Sequence, residues 1–125
     1  MKRANQVFVH MTEAFLIYAN RFTNDAELRN IALLISENPQ VGLETPKIQY
    51  LRSFQYQFSA SDFECKIWYL YIARENMVEI VAATDINDEP TSFEKGKISR
   101  RIGQLNQLTD SGVSLYDLAK SQLGF

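Results

Sequence analysis

The spacing of hydrophobic residues changes along the chain from a helical to an extended period. Between residues 24 and 38, apolar side chains recur three and four positions apart, which places Leu28, Ile31, Ala32 and Ile35 on one face of a helix. From residue 48 the spacing is two, the period of a β-strand, over the segments 48–58, 64–73 and 77–84. Because the connections between these segments are short, we predict three antiparallel strands in a meander.

Two capping boxes mark where helices begin. In such a box, a side-chain oxygen accepts a hydrogen bond from the backbone three residues later, and the later side chain returns the bond. Asn24 and Glu27 form the first box, and the helix that it opens ends before Pro39, because proline disfavours helical geometry in the residue preceding it. Thr91 and Glu94 form the second, and its helix is predicted to extend to about residue 108.

The remaining elements lie towards the two ends of the chain. Residues 6–10 are β-prone and predict a short first strand, after which Thr12 can cap a helix, so that the first two helices form an antiparallel hairpin. A last short helix is predicted within 114–124. The architecture is thus predicted as α+β: a short N-terminal strand, a helical hairpin, an antiparallel three-strand meander and C-terminal helices. With 125 residues, we expect a single domain, 1–125, in which 91–125 is a helical extension.

Composition narrows the possible functions. The net charge is −2, so the excess of Lys and Arg that is typical of nucleic-acid-binding proteins is absent, and such a role would depend on a local basic surface. Neither a membrane-spanning run of about 20 apolar residues nor a signal-peptide core is found, which favours a cytoplasmic protein without a membrane partner. Cys65 and His10 are the only residues of their types, so a disulfide and a histidine-rich metal site are not expected. We interpret Cys65 as a buried thiol and His10 as structural, although a histidine can serve as a general base.

Short motifs follow one another between residues 28 and 84. The helical hairpin ends in an Asn-Pro pair with a glycine three residues on (38–42), the next strand contains a Leu-Arg pair (51–52), and the following strand contains Cys-Lys-Ile-Trp-Tyr (65–69). In this order and at this spacing, the chain resembles the RelE/ParE superfamily of toxins from type II toxin–antitoxin systems, HigB-like toxins included. The resemblance implies a RelE/ParE-like fold and covers about half of the chain closely.

The same resemblance implies a function, a ribosome-dependent mRNA endoribonuclease that inhibits translation without a metal or cofactor. Such an enzyme must orient a 2′-hydroxyl, remove its proton and stabilise charge on the phosphate. By resemblance, Arg52, Lys66 and Tyr69 are the candidate catalytic residues: the two cations would face phosphate, and Tyr69 or Tyr71 would orient the RNA. The residues alone also fit core positions for both tyrosines and a stacked structural role for Arg52. The implied partners are a cognate antitoxin, the ribosome and mRNA.

The third predicted helix carries a cluster of cations beside its apolar stripe. Lys97, Arg100 and Arg101 recur at helical spacing, and Lys95 adds to them, so these four residues are the candidate nucleic-acid-binding residues. The alternative interpretation is an ordinary solvated helix face.

Two departures from the family pattern leave other functions open. The usual arginine of the middle strand is Lys66, which lacks the bidentate fork that grips phosphate, and the chain is acidic where family members are usually basic. Both departures favour a ParE-type toxin, which inhibits DNA gyrase by protein binding and needs no catalytic residues. A third hypothesis is a DNA-binding accessory protein that uses the tail 97–124.

Overall fold

The structure, a computed structural model, describes residues 7–110 and residue 112. Its elements in chain order are β1 (Phe8–Met11), α1 (Glu13–Ala19), α2 (Asp25–Glu37), β2 (Leu43–Glu44), β3 (Leu51–Tyr56), β4 (Cys65–Ile72), a 3₁₀ turn (Ala73–Glu75), β5 (Met77–Asp85) and α3 (Ser92–Asp110). The α+β prediction is confirmed. The last predicted helix, within 114–124, lies outside the described residues.

The described strands form a five-stranded sheet in the order β1-β5-β4-β3-β2. The pairs β3–β4 and β4–β5 are antiparallel, which confirms the predicted meander, and β2 pairs with β3 in the same sense. By contrast, β1 is parallel to β5 and places His10 beside Glu79. The helical hairpin of α1 and α2 connects β1 to the other edge of the sheet. Among the described residues, no helix is long and apolar enough to cross a membrane.

The predicted strand over residues 48–58 was too long at its start. Strand β3 begins only at Leu51, because Lys47 and Tyr50 adopt positive φ angles of 70° and 69° that no continuous strand can contain. Ile48 and Tyr50 therefore pack on the α3 side of the molecule. A continuous strand from residue 48 would have placed them on the same side as Arg52, so that part of the prediction was wrong. The short strand β2, between α2 and this segment, was not predicted.

The sheet is covered on both faces. The first, which we call the hairpin face, packs against α1 and α2, with Phe15, Leu28, Ile31, Ile35, Ile67, Tyr69, Val78 and Ile80 in its core. The second, the α3 face, packs against α3, with Leu51, Trp68, Leu70, Ile72, Ile98, Ile102 and Leu105 in its core. Alternate residues of β4 go to opposite faces, as the period of two predicts.

An irregularity in β5 changes which residues reach α3. Trp68 pairs with Ala82 but the next residue, Tyr69, pairs with Ile80, so Val81 is an extra residue in β5. As a result Val81 and Ala82, although adjacent in sequence, both pack in the α3 cluster. This bulge shapes a cavity that Val81 and Ala82 line.

The two predicted capping boxes behave differently. At Thr91, both halves form: Glu94 N donates to Thr91 Oγ1 over 3.1 Å, and Thr91 N donates to the Glu94 carboxylate over 2.7 Å. At Asn24, only the first half forms, since Glu27 N donates to Asn24 Oδ1 over 3.1 Å. The reciprocal half was predicted wrongly, because the Glu27 carboxylate accepts hydrogen bonds from other elements instead.

Those other elements are the end of β3 and the residues after it. Tyr56 Oη donates to Glu27 over 2.8 Å, and Ser59 N donates to the same carboxylate over 3.0 Å. Thr23 Oγ1, just before the helix, donates to this carboxylate as well. Partial burial opposes ionisation of Glu27, but the hydrogen bonds from Thr23, Tyr56 and Ser59 outweigh it and lower the pKa of its carboxyl. Glu27 therefore attaches the start of α2 to the sheet.

Candidate functional site

The three predicted catalytic residues do not converge. Arg52 on β3 and Tyr69 on β4 are cross-strand partners and share the hairpin face. Lys66 lies three positions before Tyr69 on β4 and so projects to the other face, where its Nζ lies 5.3 Å from the centroid of the Trp68 ring. The sheet therefore separates the two cations that were expected to hold one phosphate.

Tyr69 is a core residue with an engaged hydroxyl. Its side chain is 0% exposed; Oη donates to Pro39 O over 2.7 Å and accepts from Gly42 N over 2.9 Å. Burial raises the pKa of this phenol, and the Gly42 amide and Arg52 partly oppose the rise. We therefore assign Tyr69 the task of holding the loop after α2 against the sheet, in agreement with the core interpretation.

Gly42 is the residue on which this attachment depends. A Cβ at this position would lie 2.8 Å from Ser53 O and 2.9 Å from the Tyr69 ring and hydroxyl. Only glycine lets the loop approach the sheet this closely. The glycine of the sequence motif thus has a packing role.

Arg52 is half-buried and positioned by two acceptors. Its Nη1 donates to Gly42 O over 2.6 Å, and its Nη2 donates to Glu44 Oε1 over 3.1 Å. The Glu44 side chain is 80% exposed, so this second contact is an exposed ion pair that a competing anion can replace. The carbonyl of Gly42, in contrast, fixes the guanidinium against the loop.

Arg52 lines a groove of about 430 Å³ at the β2 end of the sheet, which we call the edge groove. Its polar lining includes one carboxylate, Glu44, together with Gln40, Thr45, Lys47, Gln49, Arg52 and Tyr71. Arg52 and Lys47 supply two cations and Tyr71 a half-buried phenol, so the groove can hold an anionic group next to an aromatic ring.

The backbone that lines this groove is unusual. Lys47 and Tyr50 are both non-glycine residues in the left-handed region, a conformation that proteins retain where the surroundings enforce it. The loop is closed by hydrogen bonds from Thr45 N to Leu51 O over 2.8 Å and from Tyr71 N to Tyr50 O over 3.0 Å. Tyr50 Oη also donates to Asn106 of α3 over 2.8 Å. These contacts therefore fix the backbone of the loop that carries Lys47 next to Arg52.

The four cations predicted to bind nucleic acid have different environments. Lys97 and Arg100 are exposed on α3, and Lys95 Nζ lies 3.3 Å from Glu89 in an exposed ion pair. Arg101 is turned towards the sheet, where its guanidinium lies 2.8 Å from the Glu79 carboxylate. The helix therefore offers a smaller basic surface than the sequence suggests.

Glu79 is a buried carboxylate whose role was not predicted from the sequence. It is 1% exposed, accepts three hydrogen bonds from Nε and Nη2 of Arg101, and lies 3.1 Å from His10 Nδ1. Burial opposes its ionisation, but the hydrogen bonds and charges of His10 and Arg101 outweigh it, so the pKa of this carboxyl is lowered. The available signal was a single carboxylate within the apolar run Met77–Ala83, because a buried charge requires a partner.

Cys65 and the carboxylates give no sign of metal or thiol chemistry among the described residues. Cys65 is buried as predicted, and burial raises the pKa of its thiol to about 11, which suppresses the thiolate at neutral pH. No group of three or more His, Cys, Asp or Glu side chains in the described part of the chain is placed to hold a metal ion.

Comparison with solved structures shows what this arrangement of elements resembles. A mutant of the E. coli toxin RelE in the free state superposes with a TM-score of 0.55 and 13% identity, over 78% of this chain and 98% of that one. The protein has a RelE-like fold. This confirms the fold that the sequence motifs implied, and since the identity is low, the RelE-like fold alone is established.

Two further RelE structures match less closely. The intact E. coli RelBE toxin–antitoxin complex matches with a TM-score of 0.49 and 12% identity, over 66% of this chain and 99% of that one. The isolated E. coli RelE toxin gives a TM-score of 0.44 and 13% identity, over 75% and 97%. No protein-family model and no curated protein sequence matches the chain.

Proposed function

We propose that this chain is the toxin of a toxin–antitoxin pair and that it cleaves mRNA on the ribosome, with the edge groove as its RNA-binding surface. The RelE-like fold supports the toxin assignment. The observation that carries the RNA assignment is the convergence of Arg52, Lys47 and Tyr71 in one groove. A cognate antitoxin would restrain the activity, and no cofactor is required.

Cleavage of RNA in this groove requires a cation next to the scissile phosphate and an aromatic ring next to a base. Arg52 supplies a guanidinium that the Gly42 carbonyl already orients, so little ordering is needed when a phosphate displaces Glu44. Lys47 adds a second positive charge, and Tyr71 offers a surface on which a base can stack. In this proposal the cation pair is Arg52 with Lys47, which replaces the pair of Arg52 with Lys66.

The test compares single alanine variants in cells that express the chain alone. Arg52→Ala should lower mRNA cleavage about a hundredfold, the effect of removing one preorganised charge-stabilising group. Lys66→Ala should cleave like the parent chain, because its ammonium lies on the α3 face. Growth arrest and primer-extension mapping of transcript ends give the readout, and circular dichroism confirms that both variants are folded. Full cleavage by Arg52→Ala would contradict the assignment of the edge groove.

A second candidate function is a ParE-type toxin that inhibits DNA gyrase by binding. The observation that favours it is that the three predicted catalytic residues share no surface. Lys66 lies on the opposite face from Arg52, and Tyr69 is buried, so neither can act beside Arg52 on one phosphate. The same induced cultures distinguish the candidates. Gyrase-linked DNA breaks with intact transcripts would support the binding toxin, and unaffected growth would contradict both toxin functions.

A further inference from the structure

A cavity of about 560 Å³ lies between α1 and α3 above β5, away from the edge groove. We call it the α1–α3 cavity. Its floor is formed by Val81 and Ala82, which the β-bulge places on the same side of the sheet, and Ala14 and Ile98 contribute to its walls. The small side chains at positions 14 and 82 leave the space open. Its size falls within the range of about 300–1,000 Å³ that is usual for small-molecule sites.

Two cations line this apolar cavity. Lys97 and Arg101 lie one turn apart on α3, and both contribute to the lining. Glu94 also lines it; its carboxylate accepts the Thr91 N–H over 2.7 Å in the helix cap and keeps its negative charge. The cavity therefore combines an apolar floor with two cations and one carboxylate along one helix.

Arg101 is held in place by the buried carboxylate behind it. Its Nε and Nη2 donate to Glu79 over 2.8 and 2.9 Å. A guanidinium has five N–H donors, so the bonds to Glu79 leave donors for a second anion. The side chain is 37% exposed, which keeps these donors accessible. Such an arrangement presents a fixed donor at the edge of an apolar space.

We infer that the α1–α3 cavity binds a small organic anion with an apolar body, such as a medium-chain carboxylate or an aryl sulfonate. The apolar body lies on Val81 and Ala82, and the anionic group accepts hydrogen bonds from Arg101 with Lys97 nearby. This inference does not depend on the toxin assignment, because none of the edge-groove residues contributes to the cavity.

The binding test uses the full chain with two anionic probes, anilinonaphthalene sulfonate and decanoate, and with decanol and acetate for comparison. Anilinonaphthalene sulfonate is titrated by fluorescence, and decanoate, decanol and acetate then compete for its site. We expect one saturable site from which decanoate displaces the dye. Decanol should compete about two- to fivefold less well, as the loss of one partly exposed charge contact predicts, and acetate should not compete.

Two matched pairs of variants locate the site. Ala14→Phe fills the cavity from an exposed position of α1 and should weaken decanoate binding about tenfold by excluding about two methylene groups, whereas Ala26→Phe, on an exposed position of α2, should change nothing. Lys97→Ala should weaken decanoate about two- to fivefold and leave decanol unchanged, whereas the exposed Arg100→Ala should affect neither.

Several results would overturn the inference. One is a lack of saturable binding by either probe; another is equal binding to the Ala14→Phe and Ala26→Phe variants. Equal competition by decanol and decanoate would remove the anionic part of the claim and overturn it as stated. All four variants are checked for cooperative urea unfolding, so that dye bound to loosened protein is not counted.

Discussion

Two buried polar groups on opposite faces of the sheet differ in charge. On the hairpin face, the buried hydroxyl of Tyr69 is neutral and makes two hydrogen bonds to the loop after α2, at Pro39 and Gly42. On the α3 face, the buried group is the carboxylate of Glu79, which Arg101 and His10 satisfy. An unpaired neutral group and an unpaired charge differ in their effect on folding, because the desolvation of a charge is far larger. The two faces should therefore respond differently when one partner is removed.

The largest effect is expected on the α3 face. Arg101→Ala should lower the free energy of unfolding by about 3 kcal/mol. This value is at the lower end of the range for breaking a buried ion pair, because the guanidinium is partly exposed. The neighbouring Arg100→Ala should change it by less than about 0.5 kcal/mol, since that side chain is exposed. Urea denaturation at neutral pH measures both. Equal stability of the two variants would show that Glu79 does not need Arg101.

A smaller effect is expected on the hairpin face. Tyr69→Phe removes the hydroxyl that bonds the Pro39 carbonyl and the buried Gly42 amide. The loss of these hydrogen bonds should lower the free energy of unfolding by about 2 kcal/mol. Tyr71→Phe is the matched control, because its ring is half-buried in the edge groove and the same atom is removed. If the two variants are equally stable, the hydroxyl of Tyr69 does not hold the loop.

The smallest effect is expected in the pH dependence of stability, which tests whether Glu79 is the source of the difference. The folded state lowers the pKa of Glu79, so its contribution is complete above the unfolded value, near 4.3, and is lost as the pH falls through the folded value. In Arg101→Ala, burial is opposed by His10 alone, and the folded pKa should rise. The stability difference between Arg101→Ala and the parent chain should thus be largest at pH 7. It should shrink as the pH falls through the raised folded pKa of the variant towards the lowered folded pKa of the parent chain. Urea unfolding at pH 7, 5, 4 and 3 measures this difference; a constant value would exclude Glu79 as its source.

Local features of the fold were predictable from residues close together in sequence. The second helix ends at Glu37, before the Asn-Pro pair, and its predicted apolar face is the one that it buries, with Leu28, Ile31 and Ile35 in the core. Both halves of the Thr91 capping box form as predicted. Each of these depends on backbone geometry over a few residues, which sequence spacing specifies directly.

The candidate site was less predictable because a strand sends neighbours to opposite faces. The alternation within β4 was read correctly, and it already separated Lys66 from Tyr69. The sequence did not show whether Arg52 and Lys66 lie on the same side of the sheet, because that depends on the register of β3 against β4. The pairing of Arg52 with Tyr69 sets that register.

By itself, then, the sequence determined the order and type of the longer elements through α3, because helical and extended periods, caps and a proline act within a few residues of one another. The tertiary structure decided which polar groups meet. Tyr56 reaches Glu27 across 29 residues, Arg101 reaches Glu79 across 22, and His10 reaches Glu79 across 69. The β-bulge at Val81 forms the floor of the cavity that Arg101 lines. Contacts at such separations follow from how the sheet and helices pack in three dimensions, and no local period encodes them.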